Sequence, residues 1–73
     1  MEICKNKTTE KTFIYLDEED NGQALMITPA GEVKTLEESL FKGLSETDDA
    51  AALLASGEIT PAQYNVYQLY QNN

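Results

Sequence analysis

Apolar residues recur along this chain with two different periods, and the change from one to the other divides it. Thr12-Phe13-Ile14-Tyr15-Leu16 is aromatic and β-branched, a composition that suits a pleated, half-buried surface and predicts a strand. Four acids, Asp17-Glu18-Glu19-Asp20, then lead into Asn21-Gly22, the pair that best accepts the positive φ angles of a type I′ hairpin turn. Gln23 to Thr28 reads as the returning strand. A two-residue turn sets Leu16 opposite Ile27 and Tyr15 opposite Thr28, whereas a longer loop through the acids shifts that register. In Thr28-Pro29-Ala30-Gly31-Glu32, proline suits the first central position of a type I turn and Gly31 the left-handed residue after it, so Glu32 to Thr35 becomes a third strand. Met1 to Asn6 is a candidate edge strand.

Alternation puts Ile14, Leu16, Leu25, Ile27 and Val33 on one face of this meander and Phe13, Tyr15, Met26 and Leu36 on the other. Both faces are partly apolar, so both need cover, from the chain's own helices or from another subunit.

Beyond Thr35 the period lengthens. Thr35-Leu36-Glu37-Glu38 resembles a capping box, and Leu36, Leu40, Phe41 and Leu44 fall at helical spacing, which favours a short helix here over a competing strand through Leu40-Phe41-Lys42. Ser45 to Asp49 supplies cap residues and acids ahead of the helix formers Ala50 to Ala55, and Gly57 ends that helix. The plainest boundary follows. Thr60 can cap a helix that begins at Pro61 and runs to about Gln71, Gln63 completes a capping box, and Ile59 and Tyr64 stand at the two staple positions. On that helix Val66, Tyr67, Leu69 and Tyr70 form an apolar face suited to the sheet, which leaves Tyr64 as the exposed ring.

The expected fold is therefore α+β: a small antiparallel β-meander of three or four strands followed by two or three short helices. At 73 residues the chain is a single domain, 1–73, that buries only about 60% of its unfolded surface. One cysteine excludes an internal disulfide, and no apolar run has the length of a secretory leader or a membrane span, so the expected location is cytoplasmic.

Charge narrows the function. Thirteen acids stand against five lysines, with no arginine and no histidine, for a net charge of −8. Without these residues there is no bidentate phosphate clamp, no general base poised near neutral pH and no imidazole ligand. The helices after Gly43 carry no positive side chain, so a helix-turn-helix reading fails for want of groups to neutralise phosphates, and direct nucleic-acid binding is not expected. Cys4 has Lys5 and Lys7 nearby but no histidine or second cysteine to build a nucleophile. Asp17 to Gly22 echoes a calcium loop, yet Glu19 stands where a shorter ligand is wanted and Thr28 where a bidentate glutamate belongs. No enzyme, metal or cofactor is expected.

What remains is binding. Asp17, Glu18, Glu19 and Asp20 at a hairpin tip, with Tyr64, are the candidate contacts for a partner protein with a basic surface. Phe13, Tyr15 and Met26 are the candidate seam of a homodimer, the alternative reading, and a small ligand held between sheet and helices is a further one. In size and charge the chain resembles the small inhibitors that phages and mobile elements direct at nucleic-acid-targeting host defences, anti-CRISPR proteins among them; the resemblance implies an inhibitor or adaptor that occupies a basic, nucleic-acid-binding surface. Dialysis against a chelator should leave the melting temperature unchanged. A rise of several degrees on adding calcium would instead make the acidic loop a metal site.

Overall fold

The computed structural model describes residues 1–72. Five strands, β1 (Glu2–Asn6), β2 (Thr12–Glu18), β3 (Gln23–Ile27), β4 (Val33–Glu37) and β5 (Phe41–Glu46), precede two helices, α1 (Ala50–Ser56) and α2 (Pro61–Gln71). All pairings are antiparallel, and the strand order is β4-β3-β2-β1-β5. The class is α+β with a β-meander, as the pattern predicts, but the sheet has five strands in place of three or four. Glu2–Asn6 is not an edge: it lies between β2 and β5 and pairs with both.

The expected helix after Thr35 is absent. The chain there forms β4, a single 3-10 turn over Glu38–Leu40, and β5. Tertiary pairing outweighs the helical spacing, because extension lets Leu36 and Phe41 both pack on the cluster of Cys4, Ala24 and Met26. Gly43, with φ of 67°, also stands outside the helical region. The register between β1 and β5 shifts around it, which marks a bulge in β5.

This short turn bends the whole sheet. In a flat five-stranded sheet the outer strands lie about 19 Å apart, whereas the four steps from Glu37 to Phe41 span at most about 14 Å. The sheet therefore curls into a half-open barrel. Its concave side holds Cys4, Ala24 and Met26, ringed by Phe13, Tyr15, Leu36 and Phe41, while the other side holds Ile14, Ile27 and Ile59 under the two helices. Phe13 and Phe41 meet edge to face with ring centroids 4.9 Å apart. The predicted division of Ile14, Leu16 and Ile27 from Phe13, Tyr15, Met26 and Leu36 is the observed one, but Leu25 and Val33, expected on the first face, join neither cluster, and Val33 is exposed.

The β2–β3 hairpin keeps the predicted turn but not the register. Asn21 and Gly22 have φ of 62° and 74°, and the Gln23 N–H donates to the Asp20 carbonyl. Yet Glu19 N–H also donates to Gln23 O, and the ladder skips Leu16, so Ile14 pairs with Ile27 and Tyr15 with Met26. Two bulged residues, Glu19 and Leu16, explain the shift. The second turn is as expected: Gly31, with φ of 86°, donates its N–H to Thr28 O.

Helix α2 is fastened to the sheet at its first turn. Thr60 Oγ1 accepts from the Gln63 N–H at 3.1 Å, and Gln63 Oε1 accepts from the Thr60 N–H at 2.9 Å, completing the capping box. Gln63 is fully buried, and its Nε2 donates to the backbone carbonyls of Thr12 (2.9 Å) and Ile27 (3.2 Å). Thr60 Oγ1 donates to Pro29 O at 2.6 Å, and Gly31 lies so near Ala62 that a Cβ there would meet the Ala62 Cβ at 3.1 Å. The apolar face of α2 is narrower than its sequence suggests. Val66 and Tyr67 pack on the Ile14 cluster, but Leu69 and Tyr70 are 68% and 40% exposed.

Replacing Gln63 by Leu removes a cap and leaves two buried carbonyls without partners, so it should cost about 2–4 kcal/mol in urea unfolding. Asn65→Ala, on the exposed side of the same helix, should stay within about 0.5 kcal/mol. Equal midpoints for the two variants would contradict the keying of α2 through Gln63.

Candidate docking surface

The strand register sorts the charges. Lys5 and Lys42 pair across β1 and β5, and Lys7 and Lys11 flank the β1–β2 connection, so four of the five lysines lie toward one end of the sheet; Lys34, second in β4, stands midway, in the cross-strand row Lys34–Met26–Tyr15–Glu2–Glu46. The three acids at that end are each matched: Glu10 with Lys42 at 3.2 Å, Glu58 with Lys5 at 3.5 Å and Glu32 with Lys34 at 3.7 Å. Glu58 also accepts from the buried Thr12 hydroxyl at 2.9 Å. Three of thirteen acids are thereby paired, and among the described residues the other ten have no lysine partner.

Most of those ten gather toward the opposite end, with Glu2 and Glu46 level with Lys34. Asp17 and Glu18 close β2, Glu19 and Asp20 form the turn, Glu37 closes β4 and precedes Glu38, and Glu2 opens β1 opposite Glu46, with Asp48 and Asp49 just beyond β5. The four predicted tip acids are all exposed, and the tip is held firmly. Glu19 accepts from the Thr35 hydroxyl at 2.6 Å, which fastens the turn to β4 two strands away. Among the described residues no three Cys, Asp or Glu side chains are grouped so as to hold a metal ion.

The concave side of the sheet forms a hollow of about 250 Å³, floored by Cys4, Met26 and Phe41 and edged by Tyr15, Glu38, Lys42 and Leu44. The Tyr15 hydroxyl donates to Glu38 at 2.6 Å. That bond first, then burial and the charges of Glu38, Glu18 and Glu2, raises the Tyr15 pKa and keeps its proton in place. Cys4 Sγ sits 3.9 Å from Met26 Sδ, and burial, with a smaller contribution from Glu38, pushes its thiol up to about 11. It is a packing residue, inert near neutral pH.

The remaining predicted contacts are only partly brought together. Tyr15 and Phe13 do line the concave side, but Met26 is 1% exposed and lends a homodimer seam almost no surface. Tyr64 is not the exposed ring. It packs against the Ile14 cluster on the helix side and its hydroxyl accepts from Gln68, so Tyr70 takes that place. Glu38 and Leu44, which edge the hollow, were hidden by the helical reading of their segment; Gly43 between Phe41 and Leu44 is the signal for a bulged strand. The chain matches no protein-family model, and no curated protein or solved structure matches it.

Because the raised Cys4 pKa favours the neutral thiol in the folded protein, its contribution to stability is complete below about pH 9 and is lost as pH rises toward about 11. At pH 8 a thiol-specific disulfide reagent should label Cys4 slowly in the native protein and rapidly in urea. Equal labelling rates would show an open, ionised thiol.

Proposed function

We propose that this chain is a non-enzymatic protein-binding module that docks by its acidic end on a basic surface of a partner. The observation that carries the reading is the polarity of the sheet: most of the ten acids without a lysine partner lie toward one end, and four of the five lysines, with the three neutralised acids, toward the other. A field of one sign, concentrated on one end, attracts a basic patch and orients the approach. Basic patches of that kind ordinarily hold phosphates, so occupying one blocks nucleic acid. This is how a phage or mobile-element inhibitor or adaptor of this size and charge would act. The tip suits the role because Asn21-Gly22 and the Glu19–Thr35 bond project Asp17, Glu18, Glu19 and Asp20 from a fixed turn.

Rim charges act mainly on association, over a reach of about 8 Å at 0.15 M salt. Changing the four tip acids to Asn and Gln should leave the melting curve intact and slow association with a partner isolated from the native host several-fold at low salt, the gap closing as salt rises. Association rates equal to those of the parent protein at every salt concentration would remove the tip from the docking surface.

A further inference from the structure

The hollow on the concave side and the acidic end are one surface. Glu2 lies two residues before Cys4 on β1 and so shares its face of the sheet, and Glu46 stands directly opposite Glu2 on β5. Glu18, opposite Ala24, joins the same face, and Glu38 reaches it through Tyr15. The apolar floor of Cys4, Met26 and Phe41 is edged by Glu38, the exposed Leu44 and Lys42, which is paired with Glu10, and Glu2, Glu18 and Glu46 lie on the same face beyond Tyr15 and Leu44.

Two features of this surface are costly to the free chain. Leu44 is 57% exposed beside an apolar hollow. Glu2 and Glu46 are like charges in a directly opposed cross-strand pair, an arrangement that destabilises a sheet, and neither has a lysine partner among the described residues. A second copy of the chain would bring eight further net negative charges to a face that already carries unpaired carboxylates. A cation carried next to an apolar group would relieve both features at once.

We propose that this face receives an extended partner segment in which an apolar side chain is flanked by lysine or arginine: the apolar group fills the hollow over Cys4 and Met26 beside Leu44, and the cation sits between Glu2 and Glu46. The proposal rests on the docking reading above and names the partner's chemistry. It makes the acidic tip the region that speeds encounter, and the concave face the region that holds what has arrived.

The test uses two fluorescent peptides of equal length and charge, one alternating lysine with valine and the other lysine with serine. The intact protein should bind the valine peptide more tightly, and Leu44→Ser should erase that preference. Glu2→Gln with Glu46→Gln should weaken the valine peptide about five-fold at low salt while raising the urea midpoint, because the like-charge pair has been relieved. A merely structural role for these glutamates would not move binding and stability in opposite directions. Equal affinity for the two peptides, or a preference that survives both sets of substitutions, overturns the proposal. So does a dimer in sedimentation that Leu44→Ser dissolves, since a second copy would then cover the face. If the tip variant binds both peptides as the parent does while the valine preference persists, the tip falls and the concave face stands; if the tip variant loses both peptides equally and no preference exists, the reverse holds.

Discussion

One buried side chain holds the two layers in register. Gln63 spends its carbonyl oxygen on the cap of α2 and its amide hydrogens on carbonyls of β2 and β3, so the start of the helix is positioned by the sheet it covers. An apolar contact would tolerate sliding. Hydrogen bonds to two carbonyls on different strands do not, because a displaced glutamine leaves several buried polar groups unpaired at once. The Thr60 bond to Pro29 and the close approach of Gly31 to Ala62 fix the same corner from the β3–β4 turn. Ile59, the residue leading into the helix, is thereby set between Ile14 and Ile27 at the centre of the helix-side core.

With one side of the sheet sealed in this way, the other is left to the sheet's own curvature. The three-residue passage from β4 to β5 draws the two ends of the sheet toward each other, so the concave apolar residues shelter one another without a second layer. That economy suits a chain too short to cover both sides with helices. It also leaves a hollow where the curl is incomplete, and the antiparallel register places the uncompensated carboxylates beside it.

Local chemistry was the legible part. Asn21-Gly22, Pro29 with Gly31, and the Thr60-Pro61-Gln63 box are all written in residues whose backbone preferences act over a few positions, and each forms where those preferences place it. Pairing over distance was not legible. Leu36, Leu40, Phe41 and Leu44 fit a helix as spaced, and only the partners waiting on β3 and β1 make extension the better solution. The bulges at Leu16 and Glu19 likewise answer to the sheet and not to the turn. The acidic tip was visible as composition, whereas the hollow depends on β5, and the packing of Tyr64 against the Ile14 cluster depends on where α2 is keyed.

The position of β1 also governs how the molecule closes. This strand is an interior one: it pairs with β5, Met1 exchanges backbone bonds with Thr47, and the carbonyl of Thr12 on the neighbouring β2 accepts from Gln63. These bonds join residues 46 and 51 positions apart, so the sheet and the helix over it close through long-range contacts whose loop entropy must be met before they form. The crowd of carboxylates then has a second use. While strands and apolar residues stand exposed in an unfolded chain, the net charge of −8 makes copies repel one another and so opposes their pairing with each other.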